Sequence, residues 1–105
     1  WGGEMGRLPV IQNEANIGRD HNTHGFSMWF AGGGFKGGHV LGASDARGEE
    51  VKERPVYPVD LIASMYELLG IDGNAKLPNP QGLDLRVLPN VAGAKTGGKL
   101  KEIMG

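Results

Sequence analysis

A chain of 105 residues with no cysteine, 11 basic and 12 acidic side chains and a formal net charge of −1 is at most one small domain with a thin core. Its balanced charge excludes the basic field that nucleic acid or an anionic membrane surface requires, and the missing thiols exclude disulfides and thiolate metal sites. No apolar run approaches the roughly 20 residues of a membrane-spanning helix.

Glycine supplies 19 residues, clustered at 32–34 and 37–38 without a period, which implies loops rather than a fibrous repeat. The chain opens on Trp1-Gly2-Gly3 with no initiator methionine, so it is expected to be a fragment, with residues 1–105 forming one partial domain.

In chain order, Trp1 to Pro9 reads as the end of a strand entering a loop, because its glycines and Pro9 interrupt any regular element. Glu4 and Arg7 then stand on irregular backbone, where functional groups and plain solvated charges are both common. Pro9 to Ile17 has no sustained period and reads as solvated loop.

Gly18-Arg19-Asp20-His21-Asn22-Thr23-His24-Gly25 is the densest chemical stretch. Asp20, His21 and His24 offer mixed nitrogen and oxygen donors of the kind that hold zinc and similar divalent ions. The bland alternative is an Asp-His hydrogen bond that orders a loop. Phe26 to Ala31 follows, apolar on both faces of an extended chain, and is expected to be a strand buried on both sides, as in an α/β sheet. The histidines would then lie before the strand, whereas open α/β sheets usually place sites beyond strand C-termini.

Gly32-Gly33-Gly34-Phe35-Lys36-Gly37-Gly38 lacks the Lys-Ser/Thr and following helix of a phosphate-binding loop, and is expected to be a wide hairpin with His39 at a strand start. Ser44 to Glu50 has turn chemistry, and Val51 to Pro55 reads as a charged edge strand. Val59 to Leu69 is the one clear helix. Leu61, Ile62, Met65, Leu68 and Leu69 form its apolar stripe, Pro58 suits its start and Gly70 its C-terminal cap. Asp60 is explained by the helix dipole alone. Beyond Ile71 the chain turns loop-like, with a short extended piece over 83–88 and a tail that closes as an edge strand or a helical turn.

The combination of Gly-Glu-Met-Gly-Arg-Leu-Pro, Gly-Arg-Asp-His, Phe-Ser-Met-Trp-Phe-Ala-Gly-Gly-Gly-Phe-Lys-Gly-Gly and Tyr-Pro-Val-Asp-Leu-Ile-Ala-Ser-Met-Tyr-Glu-Leu-Leu-Gly-Ile-Asp, spread over residues 3 to 72, resembles the C-terminal part of a bacterial sulfatase-like family. That family is a domain of unknown function placed in the alkaline phosphatase superfamily. The resemblance implies an α/β fold, the C-terminal fragment of a sulfatase-like sheet with flanking helices. It further implies an exported or periplasmic setting and a missing N-terminal half that holds the nucleophile.

On the same resemblance, a divalent metal, zinc or calcium, would be held by Glu4, Asp20, His21 and His24, with His21 the safer of the two histidines. Met5 departs from the pattern, standing where a further His or Asn ligand is expected. His21, Arg7 and Arg19 would act on a small anionic ester, with hydrolysis of a phosphate or sulfate ester as the reaction. The competing expectation is a non-catalytic binding or structural module in which Asp20 and His21 only stabilise their loop.

Overall fold

The computed structural model describes residues 1–89 and 91–105. It is a mixed α/β chain with two small antiparallel sheets and one helix. Strands β1 (Gly6–Arg7) and β2 (His21–Asn22) form the first sheet, and β3 (Ala43–Ser44) and β4 (Val51–Glu53) the second. Helix α1 spans Pro58–Leu68, and a 3-10 turn covers Lys101–Ile103. The chain divides into two units, one made of Trp1–Ala31 and Val40–Pro55, the other of Gly32–His39 and Val56–Gly105. No helix among the described residues is long and apolar enough to cross a membrane.

In the first unit, loop chemistry and close backbone approach do the shaping. The expected turn at 44–50 forms around Asp45, whose carboxylate Oδ1 accepts the Arg47 and Glu49 backbone N–H groups at 3.1 and 2.9 Å. Those bonds, that from Glu49 foremost, hold the Asp45 carboxyl below its ordinary value. The turn leads into β4, which pairs with β3 through an irregular register, Ala43 opposite Glu53 and Ser44 opposite Val51. Gly42, at φ 81°, is required at this end of the ladder, since a Cβ there would lie 2.8 Å from the Arg54 carbonyl oxygen.

The stretch 26–31 departs from expectation. It forms an isolated bridge between Met28 and Gly2, with the Trp29 N–H donating to the Trp1 carbonyl at 2.8 Å, and no ladder strand among the described residues. A ribbon with one short neighbour cannot cover both faces of its side chains, so Phe26, Met28 and Trp29 are exposed. Residues 1–9 also hold more regular structure than their glycines suggest, because β1 forms there.

The second unit is built on α1. Pro58 occupies the first turn, and the helix closes in a Schellman arrangement: Gly70, at φ 73°, donates to the Glu67 carbonyl and Ile71 to that of Tyr66. The buried face is not the apolar stripe. Ile62, Met65 and Leu69 are exposed, whereas Asp60 and Ser64 are buried. The tail explains this inversion by running along the helix. Thr96 Oγ1 donates to Asp60, the Gly97 and Gly98 N–H groups donate to the same carboxylate at 2.8 and 3.0 Å, and Leu100 N–H donates to Ser64 Oγ at 2.8 Å. Lys99 and Lys101 both pair with Glu67.

Asp60, Ser64 and Glu67 are spaced i, i+4, i+7, so they form one polar row on one helix face. The tail resolves as a 3-10 turn that ends in a bridge between Met104 and Phe35, with Leu100 and Met104 as the buried apolar residues. The glycines at 32–34 take positive φ, and Gly34 packs against Leu68 while its carbonyl accepts the Gly105 N–H at 2.9 Å. Gly34 therefore seats the tail, and residues 32–35 close a tight turn in which the Phe35 N–H donates to the Gly32 carbonyl at 3.1 Å, not a wide hairpin; His39 lies outside any strand.

Asp60 also accepts the Tyr57 N–H at 2.9 Å. Burial alone would raise its carboxyl, but the bonds from Thr96, Tyr57, Gly97 and Gly98 prevail and hold it below the ordinary 3.8. A depressed carboxyl adds stability that is present above that value and is lost as pH falls below it. Asp60→Ala is therefore expected to destabilise the helix and tail by about 3 kcal/mol near neutral pH and to flatten the loss of stability toward acid. Urea unfolding followed at the helical circular-dichroism band, at pH 7 and pH 3, checks both.

Candidate functional site

The first sheet places Arg7 directly opposite His21, and Gly6 opposite Asn22. Residues facing one another in an antiparallel ladder share a face, with Cβ atoms about 5 Å apart, so Arg7 and His21 stand together on the exposed face while Asn22 turns inward. The Leu8 N–H to Asp20 carbonyl bond, 2.9 Å, extends the same pairing by a step. A side chain on Gly6 would collide with the Gly25 carbonyl oxygen, 2.3 Å from the position of its Cβ. Glycine is what lets β1 lie close enough to fix Arg7 beside His21.

Asn22 is the buried member of the stretch, 1% exposed. Its Nδ2 donates to the carbonyls of Gly48 and Glu49 at 3.3 and 2.9 Å, and its Oδ1 accepts the His24 N–H at 2.9 Å. The side chain thereby ties the 18–25 loop to the turn before β4. Asp20 is committed locally too. Its Oδ1 accepts the His21 N–H at 2.7 Å, and its own N–H donates to Gln12 Oε1 at 3.3 Å.

Between β1 and β2 the loop folds back to border a wide-open cleft of about 420 Å³, lined by Arg7, Gln12, Asn13, Asn16, Gly18, Arg19 and Asp20. Asn13 shapes it, since its Oδ1 accepts the Ala15 N–H at 2.8 Å in an Asx turn. Arg7 reaches across it, its guanidinium donating to the Arg19 carbonyl at 3.3 Å. Arg19's own guanidinium has no hydrogen-bond or ion-pair partner among the described residues. The result is a donor-rich concavity suited to an anion.

The residues expected to hold a metal do not gather. Among the described residues no group of three or more His, Asp or Glu side chains is placed to hold an ion, so no three of Glu4, Asp20, His21 and His24 stand together. A protein-held zinc or calcium ion needs at least three. These four do not form a ligand set by themselves, and no chemical step is assigned to a metal here. Of the expected catalytic trio, Arg7 is brought together with both others, with Arg19 in the cleft wall and with His21 across the ladder.

Asn22 was outside every ligand reading of the sequence. Its signal was present in Asn22-Thr23-His24, since an asparagine whose oxygen accepts the N–H two residues on is the common way such side chains hold loops.

The chain belongs to the family described as "Protein of unknown function (DUF1501)", which it matches over residues 1–94. This corrects the sulfatase-like resemblance: nothing in the match links the family to the sulfatases or to the alkaline phosphatase superfamily, and the fold shows no sulfatase-like sheet. No curated protein and no solved structure matches the chain.

Asn22→Ala is expected to lower stability by about 2 kcal/mol, since the carbonyls of Gly48 and Glu49 lose a buried donor. Asn22→Asp sets a carboxylate against those carbonyls. It should be the less stable of the two variants at neutral pH and recover as pH falls toward about 4, where the carboxyl protonates. Denaturation midpoints of the two variants at pH 7 and pH 4 give the comparison.

Proposed function

We propose that the protein hydrolyses a phosphate or sulfate ester, and that the Arg7–Asp20 cleft grips the anionic group. The observation that carries this reading is that Arg7 and Arg19 both line the cleft, with Arg7 paired in register to His21. A guanidinium presents a fork of N–H donors that matches two oxygens of a phosphate or sulfate. Such donors favour the transition state when they meet charge that develops on those oxygens. His21 is not a lining residue of the cleft but stands opposite Arg7 in the ladder, and it carries the proton to a leaving oxygen that extends toward that face. No hydroxyl or thiol side chain lines the cleft, so the attacking group is water or a residue outside these lining residues.

A second reading is favoured by the bonding of Asp20 and Asn22. Asp20 Oδ1 is taken up by the His21 N–H and the Asn22 carboxamide by backbone carbonyls and an N–H, as in a module where the loop is structural and no chemistry follows.

Calorimetric titration with inorganic phosphate and sulfate, together with turnover of 4-nitrophenyl phosphate and 4-nitrophenyl sulfate, separates the two. Arg7→Ala and Arg19→Ala are each expected to weaken anion binding about tenfold or more. His21→Ala should leave binding intact and lower turnover about 100-fold or more. Gly6→Ala should mimic Arg7→Ala, because it displaces β1. Anion binding indifferent to both arginines removes the proposal, and binding without turnover leaves the structural module.

A further inference from the structure

The cleft that the arginines line also contains a carboxylate, and a bare anion has no use for it. Asp20 lines the cleft together with Arg7 and Arg19; its Oδ1 is held by the His21 N–H, and its Oδ2 has no hydrogen-bond partner among the described residues. A negative charge beside an anion weakens its binding unless the ligand brings a hydrogen-bond donor to that oxygen.

The rest of the lining narrows what the donor is. Asn16 keeps its whole carboxamide unbonded among the described residues, its backbone N–H alone being taken up by the Asn13 carbonyl at 3.3 Å. Gln12 and Asn13 have each committed only their oxygen, which leaves both NH2 groups as donors. No hydrophobic residue lines the cleft, whose surface is shared between polar atoms and the carbon stems of its polar side chains. A carboxamide or carboxylate meets neighbouring hydroxyls well, because each hydroxyl both gives and accepts a hydrogen bond.

We infer that the ligand of this cleft is a polyhydroxylated anion, a sugar monoester of phosphate or sulfate, whose hydroxyls are received by Asp20 and Asn16 while Arg7 and Arg19 hold the ester group. This rests on the anion-binding role proposed above and adds the identity of the body that carries the anion.

Calorimetry on the protein with inorganic phosphate, phenyl phosphate, O-phosphoethanolamine, glucose 6-phosphate and glucose 6-sulfate tests it. The two glucose esters distinguish phosphate from sulfate as the anionic group, and preference for either over the other probes supports the inference. Glucose ester is expected to bind about tenfold or more tighter than inorganic phosphate or phenyl phosphate, the gain of about two hydroxyl hydrogen bonds. Asp20→Asn keeps an oxygen for the His21 N–H and removes the charge. It should cut the preference for the glucose ester over inorganic phosphate at least threefold, as should Asn16→Ala, with circular dichroism confirming that both variants keep the native fold.

If inorganic phosphate binds and the glucose esters bind no tighter, the sugar inference alone is overturned. If O-phosphoethanolamine binds tightest, an ammonium faces Asp20 and the inference is equally overturned. If the preference survives in both variants, Asp20 and Asn16 are not its source and the assignment fails. If no anion binds, the anion-binding reading falls and takes the inference with it.

Discussion

The candidate site depends on one carboxamide. Asn22 sits where the 18–25 loop crosses the turn before β4, and its side chain satisfies two carbonyls of that turn and an N–H of its own loop. Two-residue strands cannot hold register by themselves, since so few ladder bonds do not offset the conformational entropy of ordering the chain. With Asn22 fixed inward, the alternation of an extended chain sends His21 outward, and the pairing of β1 with β2 sets Arg7 beside it. The chemistry on the exposed face is thus positioned by a polar group on the hidden one.

The helical unit follows the same logic with a carboxylate in the central role. Asp60 gathers donors from Tyr57, Thr96, Gly97 and Gly98, Ser64 receives the Leu100 N–H, and Glu67 holds two lysines. A helix normally buries its apolar stripe. Here a row of polar residues is covered instead, because the tail approaches with backbone N–H groups that only polar partners can satisfy. In both units the fully buried polar side chains, Asn22, Asp60 and Ser64, are hydrogen-bonded. That is the condition under which burial of such groups is tolerable.

Much of the local structure could be read from the residues. The helix bounds followed from Pro58, the apolar spacing and Gly70, and the 44–50 turn and the edge strand after it followed from local composition. These features are governed by neighbours in sequence. The errors came where distant partners decide. Phe26 to Ala31 has the composition of a central strand, yet its backbone pairing is a short one with residues 1–2. Asp60 looked sufficiently explained by the helix dipole because Thr96 to Gly98 lie 36 to 38 residues away. At the site, Arg7, Arg19 and His21 could be singled out by residue type, but their company could not, since it arises from the register of β1 on β2.

The ribbon formed by Trp1–Gly2 and Met28–Trp29 has a practical consequence. Both of the chain's tryptophans lie in it, within the unit that carries the cleft, whereas α1 lies in the other. Intrinsic fluorescence and helical circular dichroism therefore report on different parts of the chain. Whether the two signals change together during unfolding measures directly how strongly the cleft unit and the helical unit are coupled.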